Sequence, residues 1–121
     1  MHSILGNTRK ADIIFRRSGQ FDISAKIAQR LHLERGDVVD IMVEAGEFYL
    51  YVKKKRPMIG RHTAMVFPTK GRSNHFRGSS RLLCNAILRE CGAVDNARLC
   101  AGDPIETDQG ALIPIITKIL L

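Results

Sequence analysis

Nine Lys or Arg and no Asp or Glu fall between Lys53 and Arg81, in the stretch KKKRPMIGRHTAMVFPTKGRSNHFRGSSR. The chain carries a net charge of +7, and this stretch accounts for it. Residues 1–52 balance seven basic against seven acidic side chains, and residues 82–121 hold three basic and five acidic. Cations gathered without acids neutralise phosphates and release their counterions, so the pattern points to nucleic-acid backbone binding, weakened steeply by salt. Arg also clamps phosphates or guanine edges bidentately, which favours Arg16, Arg17, Arg72 and Arg77 over the Lys53, Lys54, Lys55 run for specific contacts. Gly60, Gly71 and Gly78 lie beside Arg61, Arg72 and Arg77, where backbone amides can approach a phosphate closely. The candidate set is Arg9, Lys10, Arg16, Arg17, Lys26, Arg30, Lys53, Lys54, Lys55, Arg56, Arg61, Lys70, Arg72 and Arg77. A solubilising linker would share the composition of 53–81.

Other chemistries have little support in the residues. Tyr49, Tyr51 and Phe76 are the candidates for stacking on bases, and so few aromatics argue against single-strand recognition as the main task. Cys84, Cys91 and Cys100 are odd in number and lack the short paired spacings of zinc sites, so neither a disulfide framework nor a metal is expected. Cys84 and Cys91, seven apart on a helix, share a face and are expected to pack as small apolar residues. No carboxylate pair with a His, phosphate loop or nucleophile motif is present, so an enzyme is not expected, nor a cofactor.

Short elements must position these cations. Ile13 and Phe15, then Phe21 and Ile23, alternate with polar neighbours around RRSG (16–19), which reads as a hairpin with Gly19 supplying a positive φ. Ser24 stands as the N-cap of a short helix through AKIAQRLHL, ended by the Gly of ERGD (34–37). VVDIMVE and FYLYV follow as strands around EAGE. After the basic stretch begins, TAMVF (63–67) reads as a strand, PTKGRS as a turn and NHFR as a strand. Ser79 or Ser80 caps a helix over RLLCNAILREC, closed by Gly92. ARLCA and ALIPIITKI are strands around the turn-rich GDPIETDQG, with Pro114 placing the last at an edge or bulge.

The order ββαββ thus occurs twice. Offsets of 52 to 56 residues superpose Phe15 on Phe67, Phe21 on Phe76, Ser24 on Ser80, Ile27 on Leu83 and Leu31 on Ile87, the mark of a degenerate internal duplication. A unit of about 42 residues cannot bury both its faces, whereas two can close one barrel. The expected organisation is an N-terminal arm (1–10), a first ββαββ unit (11–54), a basic connector (55–62) and a second such unit (63–121).

The segment SGQFDISAKIAQRLHLERGDVVDIMVEAGEFYLYVKK (18–54) resembles the AbrB/SpoVT/MraZ swapped-hairpin DNA-binding superfamily. Gly19, Phe21, Ile23, Ile27, Leu31, Leu33, Gly36, Asp37, Val39 and Ile41 fall on its pattern of turn glycine, short strand, brief helix, Gly-Asp turn and hairpin. Where that family often has Arg, Pro and mid-helix basic residues, this chain has Gln20, Ser24, Ala28 and Gln29. Arg16, Arg17, Lys26 and Arg30 are its partial replacements. The resemblance implies an α+β, mainly β fold: a swapped-hairpin, double-psi-like β-barrel with short helices, built from two ββαββ repeats and usually from two chains. It also implies DNA as partner, RNA remaining open, with the function of an AbrB-type transcriptional regulator and a homo-oligomeric state, dimer or higher.

No segment approaches the ~20 apolar residues that span a bilayer, and the start lacks a signal-peptide core, so no membrane partner and a cytoplasmic location are expected. A second reading rests on the apolar ending IPIITKILL, which invites a protein partner. On that reading the chain is an antitoxin-like or phage- or mobile-element-associated interaction or structural subunit.

Overall fold

In a computed structural model of the chain, which describes residues 11–53, 64–69, 74–108 and 110–117, Ile13 and Phe15 are buried while Ile14 and Arg16 are half-exposed. This is the period-2 alternation of a strand with one face on the core. The strand, β1 (Ile13–Arg16), pairs with β2 (Gln20–Ile23) around a turn in which Gly19 takes φ +96°. A side chain there would also strike Arg81, since a Cβ on Gly19 would lie 2.7 Å from Arg81 Cγ. Helix α1 (Ala25–Arg30) follows, its first turn capped by Ser24 Oγ accepting from the Ile27 amide at 3.5 Å. The helix stops sooner than its sequence predicts. Leu31 caps it, His32 turns left-handed at φ 53°, and the Leu33 amide donates to the Ala28 carbonyl, so Gly36 belongs to the following turn and not to the helix end.

Strands β3 (Val38–Glu44) and β4 (Glu47–Lys53) form the next hairpin, then β5 (Ala64–Pro68) pairs with β6 (Phe76–Ser79). Strand β6 begins two residues later than NHFR predicts. Helix α2 (Arg81–Cys91) is capped by Ser80 Oγ on the Leu83 amide at 3.2 Å and closed by Gly92 at φ 66°. Its Cys84, Ile87 and Leu88 are buried, and Leu83 and Cys91 pack at the margin of the core. Strand β7 (Asn96–Ala101), a short β8 (Ile105–Thr107) that GDPIETDQG does not announce, and β9 (Gly110–Ile116) complete the chain.

The pairings run β4-β3-β5-β6-β2-β1-β7-β9, and a β4·β9 pairing joins the two ends. The result is a mainly β, closed eight-stranded antiparallel barrel with two short helices; β8 hairpins onto β9 outside the circuit. The halves 11–53 and 64–117 interlock. The ladder between β1 and β7 has its counterpart between β5 and β3, while β2·β6 and β4·β9 join like strands of the two halves. Inward side chains from both halves, among them Ile13, Phe15, Phe21, Val39, Leu50, Val66, Leu99 and Ile113, fill one core. No helix among the described residues is long and apolar enough to cross a membrane.

Two expectations fail for reasons of strand geometry. Phe15 is 1% exposed and Phe67 42%, so the offset that superposes them is one residue out of register; in a strand, a slip of one residue reverses the face. Pro114 lies in an interior strand, between β4 and the β7/β8 side, and not at an edge. Residues 115–116 of β9 pair with β7 and 110–112 with β8, so Pro114 sits where its neighbour changes. Its carbonyl accepts from the Gly102 amide on that same side. Amide and carbonyl of one residue face the same antiparallel neighbour, so the missing donor points to the gap between ladders and costs no ladder bond on the β4 side.

Candidate nucleic-acid interface

A row of small and large side chains inside the barrel fixes a row of polar ones outside it. Inward, the register aligns Val66, Gly78, Phe21, Phe15 and Ala97 across five strands. The two rings pack at 6.1 Å between centroids, flanked by residues with little or no side chain. A Cβ on Gly78 would come within 2.5 Å of Phe21 Cζ, so glycine makes the room that the ring fills. The pleat turns the adjacent row outward: Phe67, Arg77, Asp22, Ile14 and Arg98, one from each of β5, β6, β2, β1 and β7.

This outer row forms part of the lining of an open depression of about 1400 Å³. Arg16, Lys26, Arg77 and Arg98 bring its cations and Asp12 and Asp22 its acids, while Ser24, Thr69 and His75 add hydrogen-bonding groups. Asp22, buried on the outer row, is the charge centre. Arg77 Nε donates to its Oδ1 at 2.7 Å and Nη2 to its Oδ2 at 3.4 Å, and Arg16 Nη2 reaches Oδ2 at 2.7 Å. Burial pushes the Asp22 carboxyl up, but the hydrogen bonds and charges of Arg77 and Arg16 together outweigh it and hold the group below the ordinary carboxylate range. The hydrogen bond to Asp22, and then its charge, correspondingly raise the Arg77 pKa. Arg16 Nη1 is buried and, among the described residues, has no hydrogen-bond partner.

Asp12, also in the lining, accepts from the Ala101 amide at 2.8 Å and lies 3.8 Å from Lys26 Nζ. Thr69 and His75 are joined by the Thr69 hydroxyl, 3.2 Å from both the His75 carbonyl and Nδ1. In sequence these two flank Lys70-Gly71-Arg72-Ser73-Asn74. Four cations against two carboxylates leave the lining positive, a surface that attracts anions and that high salt screens.

Of the candidates named from sequence, Arg16, Lys26 and Arg77 meet at the depression. Arg16 and Arg77, favoured from the sequence for bidentate contacts to phosphate or guanine, hold a carboxylate between them, and Arg16 closes β1 and does not belong to the turn. Arg17, at the tip of the hairpin, is exposed and its amide donates to the Asp95 carbonyl, away from the depression. Arg30 faces Asp103 at 4.0 Å and Lys53 faces Asp40 at 3.6 Å, each apart from the others. Arg9, Lys10, Lys54, Lys55, Arg56, Arg61, Lys70 and Arg72 lie outside the described residues.

Arg98 was not among the candidates, and among the described residues it makes no ion pair. The alternation of ARLCA would have placed it outward between the buried Ala97 and Leu99. Phe67 and Arg35 were missed too: the Arg35 guanidinium lies 5.6 Å from the Phe67 ring centroid. Of the aromatics weighed for stacking, Phe76 is buried and Tyr49 and Tyr51 sit on β4, outside the depression. Among the described residues no group of His, Cys, Asp and Glu could hold a metal ion. Comparison with protein-family models, curated proteins and solved structures finds no match.

Proposed function

We propose that the protein binds nucleic acid, DNA in the first instance, as a regulator of the AbrB type, through the cationic depression on the outer face of β5, β6, β2, β1 and β7. The observation that carries the reading is the convergence of Arg16 and Lys26 from the first half with Arg77 and Arg98 from the second around one depression. The interlocked ladders β1·β7 and β3·β5 support a swapped-hairpin arrangement formed within one chain, and with it the likeness of residues 18–54 to that superfamily. Phosphates would be met by Arg98 and Lys26 and by the outward edge of Arg77, whose other donors Asp22 holds in place. The six further cations of 54–72 belong to the same reading through the sequence alone.

Labelled duplex DNA titrated with the protein between about 50 and 200 mM salt tests this. The expected log-log slope is about −0.9 per phosphate contacted, with Arg98→Ala reducing both affinity and slope by about one contact. Undetectable binding of duplex and of single strand alike at the lowest salt would remove the proposal.

A second reading, an assembly subunit, is favoured by the opposite side of the barrel. There the outward row of β3, β4 and β9 aligns Met42, Tyr49 and Pro114, and the next aligns Tyr51 and Leu112 with Ile105 of β8. Met42 and Ile105 are more than two-fifths exposed. On this reading, light scattering finds a molar mass above that of the 13.5 kDa chain and DNA does not change it.

A further inference from the structure

We infer that the depression takes an unpaired nucleobase on the ring of Phe67, with Arg77 and Arg98 holding the neighbouring phosphates, so that the preferred ligand is single-stranded. This rests on the nucleic-acid reading above and narrows its ligand.

One of the five phenylalanines stands apart from the others in its exposure. Phe15, Phe21, Phe48 and Phe76 are between 1% and 9% exposed, whereas Phe67 is 42% exposed. Leaving two-fifths of such a side chain in water forgoes part of its burial energy, and the strand alternation that buries Ala64 and Val66 holds it there. It is opposite Arg77 in the β5·β6 register, one strand spacing of ~5 Å away, and Arg98 lies three strands further along the same row. An aromatic face beside a line of cations is the arrangement by which single strands are held: bases stack, phosphates are tracked.

The ring is also held ready. Arg35 lies over it at 5.6 Å from the centroid, and a guanidinium covers one face of a ring that has two. Position then separates single strand from duplex. A ring at a loop tip can wedge between base pairs, whereas Phe67 stands in a strand and lines a depression. An intact duplex keeps its base faces covered by one another, so the ring would add nothing to its binding. An unpaired base can enter the depression and cover the ring.

The test compares one labelled 12-mer as single strand and as duplex, at about 50 mM salt, with the wild-type protein, Phe67→Leu and Phe67→Tyr. Leu keeps an apolar outward side chain and removes the ring; Tyr keeps the ring. Thermal melting of each variant should match wild type, because the position is outside the core. The single strand is expected to bind about tenfold more tightly than the duplex, to lose about 5- to 150-fold with Phe67→Leu, and to stay within about twofold with Phe67→Tyr. A 2-aminopurine in the strand should be quenched by wild type and not by Phe67→Leu. Duplex preference, or single-strand binding unchanged by Phe67→Leu, overturns the inference while leaving the proposed function standing. No binding of either form overturns both.

Discussion

Asp22 shows how one side chain ties the two halves together. Set on β2 against Arg77 on β6, it lies on the ladder where corresponding strands of the two halves meet, and Arg16 closes on it from β1. Two copies of one half would set like charges against each other at this ladder, whereas the single chain sets Asp against Arg. Because both guanidiniums are partly in solvent, the arrangement is worth less than a wholly buried pair. Asp22→Asn is expected to lower the unfolding free energy by about 1–3 kcal/mol in urea at neutral pH. The sign with pH follows from the lowered folded pKa. The stabilisation is complete above the unfolded carboxyl's ordinary 3.8 and is lost as pH falls through the lower folded value. Wild type should therefore lose stability over this acid range more steeply than Asp22→Asn does. The cysteines give a second expectation at this scale. Burial pushes the Cys84 and Cys91 thiols up, and Cys84 and Cys100 are buried. Native protein near pH 8 should give no more than one slowly reacting thiol, Cys91, with a thiol-titrating reagent, and all three after unfolding.

At the scale of elements, helix α2 and the β6 strand before it set where the second half's cations stand. Ser80 caps the helix and Gly78, two residues earlier, gives up its side chain to the Phe21 ring. Ser80→Ala should cost about 1 kcal/mol by loss of the cap. Gly78→Ala should cost about 1–3 kcal/mol by overpacking the ring, and the displaced β6 should carry Arg77 away from Asp22. Denaturant midpoints measure both losses, and an acid profile flattened toward that of Asp22→Asn would show that Gly78→Ala acts through Asp22. These elements were legible in the sequence because their signals are local: period-2 alternation, a Ser three residues before the amide it caps, a Gly at the helix end. Strand β8 was not, since Ile105–Thr107 is too short to show a period and is held by pairing with β9.

The barrel as a whole closes through β4·β9, which joins residues 48–51 to 112–115, more than sixty positions away. Closure over such a separation is costly in chain entropy and is repaid only when the whole circuit forms, so unfolding should be one cooperative transition. A chain ending at residue 109 loses Ile113 and Ile115 from the core and leaves β4 with a free edge. It is expected to melt without a cooperative transition when followed by circular dichroism, or to aggregate.

The sequence alone determined the alternations, caps and turns of both halves, and the localisation of positive charge between residues 53 and 81, because each depends on residues a few positions apart. It could not determine which outward side chains share a surface. Arg77 and Asp22 are 55 residues apart, and Arg98 and Phe67 meet the same depression only because five strands stand in one register. Nor could it tell a buried phenylalanine from an exposed one across the repeat, since a single residue of register exchanges the faces of a strand. Tertiary pairing fixed that register, turning two phenylalanines that align in sequence into a core side chain at 15 and a surface ring at 67.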